Sequence, residues 1–195
     1  GQDHGHLQHH LEGVADAVGA ELLEGFGAVA ALQQERLAAR RGAERGQRTL
    51  FNFLGPLLNP ARPTAQLIGV PRAELTEPMA KVLQTLGIQR GLVVGGNADG
   101  KPMDELSTLG ENAIAEFYQD CGFANSTLSP ADLPLSNATL EDLAGGDAET
   151  NAGLIRSILN GKDKGPKREA VLLNAGAALF VAGAADSIST GMDLG

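Results

Sequence analysis

From Arg48 onward the apolar residues alternate between short continuous runs and stripes of helical period. Gln66–Val70 (QLIGV) and Gly91–Val94 (GLVV) are apolar runs of the length expected for buried strands. Between them Leu75, Met79, Val82, Leu83 and Leu86 fall on one helical face, and Gly87 ends that helix. Pro78 must then lie in the first turn, where its missing N–H costs nothing. Run, stripe, run is the order of a β-α-β unit. The two strands are expected side by side and parallel, with Leu75–Leu86 crossing over them. Gly95–Met103 reads as a glycine-rich loop leaving the second strand. Ala113–Tyr118 alternates like a strand, and Phe123–Leu128 can pair with it.

Further along, helical signals dominate. Thr139 followed by Asp142 forms a capping-box pattern for a short helix. Asp147 is an N-cap for a helix to Leu159, with Leu154, Ile155, Ile158 and Leu159 expected inward. Gly165-Pro166 opens the last long helix, and Ala184–Leu194 begins another. The order predicts an α/β fold, a central, largely parallel sheet flanked by helices. Residues 1–47 differ: they hold all four His, no Pro and an Arg-rich end. Val14, Val18, Leu22 and Phe26 share one helical face there, but four glycines weaken the helix. Residues 1–47 are therefore set apart as a divergent segment, disordered or partly helical, from an α/β domain over 48–195.

Composition narrows the partners. The 195 residues are 43% hydrophobic and 20% charged, enough for one sizeable core. Aromatics make up only 4%, and small residues are abundant, which suits helices packed closely on a sheet rather than stacking platforms for bases. The net charge of −9 argues against a general nucleic-acid binder, which carries a basic field. It does not exclude a phosphorylated substrate, because local Arg, Mg²⁺ and backbone N–H groups hold phosphate within acidic proteins. Cys121 is the lone cysteine, so no intrachain disulfide forms and a reducing cytoplasm fits. The longest apolar stretch, Ala170–Ala185, is interrupted by Asn174 and is too short to span a membrane. The N-terminus has no basic, apolar signal pattern and no initiating Met, and is read as that of a fragment or a processed chain.

The best candidates for chemistry are the adjacent carboxylates Asp104 and Glu105, which follow the GLVV strand and its glycine-rich loop. Strand ends are where α/β sheets bind ligands. Two carboxylates there suit Mg²⁺, a hard cation that shares its oxygen ligands with substrate phosphates. Taken alone, the dipeptide is an ordinary solvated pair. Arg40 and Arg41 lie in the basic stretch, for which a solvated basic helix is the plain reading. Arg48 more simply supports its own loop. His6 and His10 are spaced to share a helical face, but no carboxylate ligand is near in sequence, and no metal is assigned to them.

The segment Arg48–Pro60 (RTLFNFLGPLLNP), taken with Met103–Ser107 (MDELS), resembles the C-terminal α/β domain of the anthranilate phosphoribosyltransferases. Gly145–Ala152 (GGDAETNA) resembles a further segment of that family. The resemblance runs from about Arg48 to Gly195 and implies an α/β domain truncated at both ends. It implies transfer of a phosphoribosyl group from 5-phosphoribosyl 1-diphosphate to anthranilate, in tryptophan biosynthesis. It further implies Mg²⁺ on Asp104 and Glu105, the anthranilate carboxylate on Arg40 or Arg41, a cytoplasmic enzyme and a homodimeric full-length parent. The family's phosphate-holding motifs, G-T-G-G-D, N-x-S-T and K-H-G-N, are not found intact, nor is its H-P-A segment. Gly95 stands where the family commonly has His. The chain by itself is therefore expected to be inactive. The other readings are a pyrimidine nucleoside phosphorylase-like enzyme, a non-catalytic nucleic-acid-binding paralogue and an inactive gene fragment.

Overall fold

The computed structural model describes residues 57, 59, 61–119 and 121–195. The Val14–Leu37 stripe, Arg40, Arg41 and most of Arg48–Pro60 lie outside the described residues. Strand β1 (Ala65–Gly69) leads through a 3-10 turn (Ala73–Leu75) into α1 (Thr76–Thr85). Pro78 sits in the first turn of α1, and Gly87, at φ 84°, turns the chain out of it. Strand β2 (Arg90–Ala98) then runs parallel to β1, with Leu67 opposite Leu92 and Ile68 opposite Val93. The β-α-β unit expected from the run, stripe, run order is present.

The region expected as a glycine-rich loop, Gly95–Met103, is instead mostly sheet. β2 continues to Ala98, and β3 (Lys101–Met103) returns antiparallel beside it. Asp99 and Gly100 form the two-residue turn, both at positive φ (50° and 80°), the geometry that suits the twist of a tight hairpin. The Asn97 side-chain oxygen accepts from the Gly100 N–H at 2.7 Å and closes it. Gly95 and Gly96 do not break β2 because each has a partner strand, Ala113 opposite Gly95 and Met103 opposite Gly96.

Strands β4 (Asn112–Tyr118) and β5 (Gly122–Leu128) complete the sheet, in the order β1-β2-β4-β5 with β3 beside β2. Among the described residues the sheet is mixed rather than largely parallel. Only β1 and β2 are parallel; β2 with β3, β2 with β4 and β4 with β5 are antiparallel. Short hairpin connections can join only antiparallel neighbours. The helices follow: α2 (Leu140–Leu143), α3 (Ala148–Leu159), α4 (Pro166–Val181) and α5 (Ile188–Asp193). The expected caps hold three of these ends. Thr139 and Asp142 form a reciprocal box on α2, and the Asp147 carboxylate accepts from the Thr150 N–H at 2.9 Å on α3. Those backbone and hydroxyl donors hold both carboxyls below the usual carboxylate range. Gly165 and Pro166 open α4.

Both faces of β2 are covered, which is why its sequence is continuously apolar. Val93 points to one side, into a core of Ile68, Val70, Met79, Leu83, Ala115 and Phe117 under α1. Leu92 and Val94 point to the other, among Leu106, Ile114, Leu173, Ala177, Val181 and Met192 under α4 and α5. α4 and α5 cross where Gly176 meets Gly191, so the small residues serve close helix packing as their abundance suggested. Near the end of α4, Phe180 covers the Arg90 guanidinium at 4.3 Å, and Tyr118 covers it at 4.6 Å.

One expectation for α3 is corrected. Leu154 and Ile158 are half-buried, but Ile155 is 57% and Leu159 76% exposed. A helical stripe shows that an apolar face exists, not that a neighbour covers it. No described element packs extensively across this one. Leu83→Ala, at a site with no exposure, is expected to cost about 2–5 kcal/mol. Ile155→Ala is expected to stay within about 0.5 kcal/mol. Urea unfolding of the two variants checks the contrast; equal losses would contradict the burial described.

Candidate functional site

The two candidate carboxylates stand directly after β3, beside the C-terminal ends of β1 and β2. The chain must leave Met103 and cross over those ends to reach Asn112 on β4. Four consecutive residues of the crossing are each held by a different contact. The Asp104 carbonyl lies against Gly69, so closely that any Cβ there would overlap it. The Glu105 carbonyl lies against Gly96 in the same way. Both glycines thus act by lacking a side chain, allowing backbone to pass over backbone.

The next two residues are held by side-chain amides. The Leu106 N–H donates to the Asn174 side-chain oxygen at 2.9 Å, and the Asn174 amide nitrogen donates to the Leu106 carbonyl at 2.9 Å. The Ser107 N–H donates to the Asn112 side-chain oxygen at 2.6 Å. The Asn112 amide nitrogen donates to the carbonyls of Ser107 (3.0 Å), Gly110 (3.2 Å) and Leu128 (3.1 Å). The Ser107 hydroxyl accepts from the Leu109 N–H at 3.0 Å. Buried backbone polar groups need such partners, and this crossing has no strand beside it to supply them. Leu106, Ser107 and Thr108 are buried, whereas Asp104 and Glu105 are exposed. The carboxylates therefore face water from a fixed base.

Among the described residues, neither Asp104 nor Glu105 makes an ion pair or hydrogen bond; the ion pairs found there are Lys81–Glu77 and Arg90–Glu116. Adjacent negative charges without a protein counter-charge are relieved by water or a cation. Their donor set, two carboxylates and open solvent, fits Mg²⁺, which takes oxygen ligands and keeps several waters or phosphate oxygens. No group of three or more metal-ligating side chains occurs among the described residues, so these residues alone would supply only part of a coordination shell. Asp104 and Glu105 are both exposed, directly after β3. Arg40 and Arg41 lie outside the described residues. Sequence reasoning missed Asn174 and Asn112. The signal for the first was present: Asn174 interrupts the longest apolar stretch, and an amide withdrawn from water there needs a partner.

A family model described as the glycosyl transferase family, a/b domain, matches residues 13–194. The chain belongs to this family. The match begins upstream of Arg48, where the resemblance legible in the motifs starts. The glycosyl transferase chain is 45% identical over 163 residues to an anthranilate phosphoribosyltransferase from Alkaliphilus metalliredigens, covering 83% of this chain and 46% of that protein. The crystal structure of the anthranilate phosphoribosyltransferase from Thermus thermophilus superposes with a TM-score of 0.70 at 45% identity, covering 82% of this chain and 45% of that one. A Saccharomyces cerevisiae anthranilate phosphoribosyltransferase variant with Mg bound shares the fold, with a TM-score of 0.67 at 24% identity over 82% of this chain and 45% of that one. The chain thus spans about half the length of the relatives it matches.

The seat of the carboxylate pair gives a direct test. Gly69→Ala is expected to push the Asp104 backbone off the end of β1, because the overlap is with backbone, which cannot rotate aside. Overpacking of this kind costs about 1–3 kcal/mol. Amide chemical shifts are expected to move at Asp104–Ser107 while those of α3 stay in place. Unmoved shifts at Asp104–Ser107 would contradict the close crossing.

Proposed function

We propose that a protein carrying this α/β unit transfers the phosphoribosyl group of 5-phosphoribosyl 1-diphosphate to the amine of anthranilate. The products are N-(5-phosphoribosyl)anthranilate and diphosphate, in tryptophan biosynthesis. The observation that carries the reading is the exposed Asp104–Glu105 pair, seated at strand ends in a chain 45% identical to an anthranilate phosphoribosyltransferase. The pyrimidine nucleoside phosphorylase and nucleic-acid-binding readings gain nothing from these relatives.

In this reading Asp104 and Glu105 hold Mg²⁺, which when bound supplies positive charge against the diphosphate leaving group. The seated loop fixes where the two carboxylates stand before substrate arrives, so little reorganisation is left for the reaction. Arg40 or Arg41 receives the anthranilate carboxylate through its fork of N–H donors, orienting the amine. No covalent nucleophile is required: C1 of the ribose exchanges its bond to diphosphate for one to the anthranilate nitrogen, which then loses its proton. The lone Cys121 supports a reducing, cytoplasmic setting, and we take the full-length state as a homodimer. Residues 48–195 are taken as the α/β unit and 1–47 as a separate segment.

The test uses a full-length protein containing this stretch. Asp104→Asn with Glu105→Gln is expected to raise the Mg²⁺ concentration needed and to slow transfer about a hundredfold or more, with the fold intact by circular dichroism. The 195-residue chain alone, as the baseline, is expected to give no measurable transfer. Unchanged rate and Mg²⁺ dependence in the double variant would overturn the metal role.

A further inference from the structure

We propose that Asn174 is a positioning residue: from the middle of α4 it fixes the backbone of Leu106 and thereby sets where Asp104 and Glu105 stand for a divalent cation. The proposal rests on the metal role given above to that pair. Asn is a poor residue for a helix interior, and its amide is costly to bury without partners. Here it follows fully buried Leu173 on a helix that is otherwise largely apolar. Its amide nitrogen makes one local bond, to the Ala170 carbonyl one turn back at 3.1 Å. Its remaining capacity goes to a single residue 68 positions away. Oxygen and nitrogen of the Asn174 amide take the N–H and the C=O of Leu106, both at 2.9 Å. That reproduces the double exchange between paired residues of an antiparallel ladder, at a place where no strand is available.

Two bonds to one residue fix its orientation as well as its position. The Leu106 side chain adds a third hold, 1% exposed in the core under α4 and α5. Glu105 is the neighbouring residue, one peptide bond away. Asn112 does a different job. From β4 it bonds Ser107, Gly110 and the Leu128 carbonyl of β5, so it ties the end of the crossing to the sheet, whereas Asn174 ties its middle to α4. Mg²⁺-type coordination tolerates little error, with oxygens needed at about 2.0–2.1 Å. A loop that shifts under the two carboxylates loses the cation even when both carboxylates remain. In metal sites, removing a group that orients the ligands typically costs about 10–100-fold in affinity.

The test titrates Mn²⁺ into the 195-residue chain and follows paramagnetic broadening of the Asp104 and Glu105 amide signals. Wild-type chain is expected to broaden there, and Asp104→Asn with Glu105→Gln to abolish it. Asn174→Ala is expected to weaken Mn²⁺ binding roughly tenfold. Asn174→Gln keeps the amide but moves it by one methylene, so it should fold and still weaken binding. Leu83→Ala, buried in the opposite core, serves as the control for general destabilisation. It should lower Tm at least as much as Asn174→Ala and leave Mn²⁺ affinity unchanged. Wild-type affinity in both Asn174 variants would overturn the proposal, as would equal weakening by Leu83→Ala. Absence of broadening in the wild-type chain would instead remove the metal role, and the proposal with it; the wild-type titration separates the two failures.

Discussion

The backbone crossing from Met103 to Asn112 is the constraint on which the site depends. It has to pass over the ends of β1 and β2 with no strand alongside to satisfy its peptide groups. Gly69 and Gly96 let the Asp104 and Glu105 carbonyls lie against the strands. Asn174 and Asn112 then supply the bonds that a neighbouring strand would have made to Leu106 and Ser107. The contacts come from β1, β2, β4 and α4, so the crossing joins the sheet to the helix layer of α4. Moving any one of these elements would move the carboxylates.

The electrostatics follow from that geometry. Asp104 and Glu105 are forced together by sequence and held in water by the buried residues behind them. With no cationic partner among the described residues, the pair presents unscreened negative charge at the strand ends. Under the proposed function a hard cation would answer that charge, shared with a phosphorylated substrate. The net charge of −9 is thus compatible with phosphate chemistry, provided that cations intervene locally.

Most of the fold was legible because its elements obey their periods. The stripe from Leu75 to Leu86 and the runs around it fixed the β-α-β unit, and caps at Thr139, Asp147 and Gly165 marked three helix starts. Two features escaped for physical reasons. The Gly95–Met103 stretch was read by its glycine content, although Asp99-Gly100 is itself a hairpin turn; ladder partners on β3 and β4 outweighed glycine's low strand preference. Ile155 and Leu159 were assigned inward because periodicity records amphipathicity and carries no information on which face meets a neighbour. The pair Asp104–Glu105 was legible as a candidate, but its support was not. Asn174 is 68 residues from Leu106, and only the folded chain brings the amide to the loop.

Amide hydrogen exchange at Leu106 and Ser107 tests the seated crossing most directly, because their N–H groups bond only to side chains, those of Asn174 and Asn112. If the loop is anchored as described, both amides exchange about as slowly as those of central β2, such as Val93, and open only with the domain. Exchange as fast as that of the exposed Asp99–Lys101 turn would show a loop free to move, and a carboxylate pair without a fixed place.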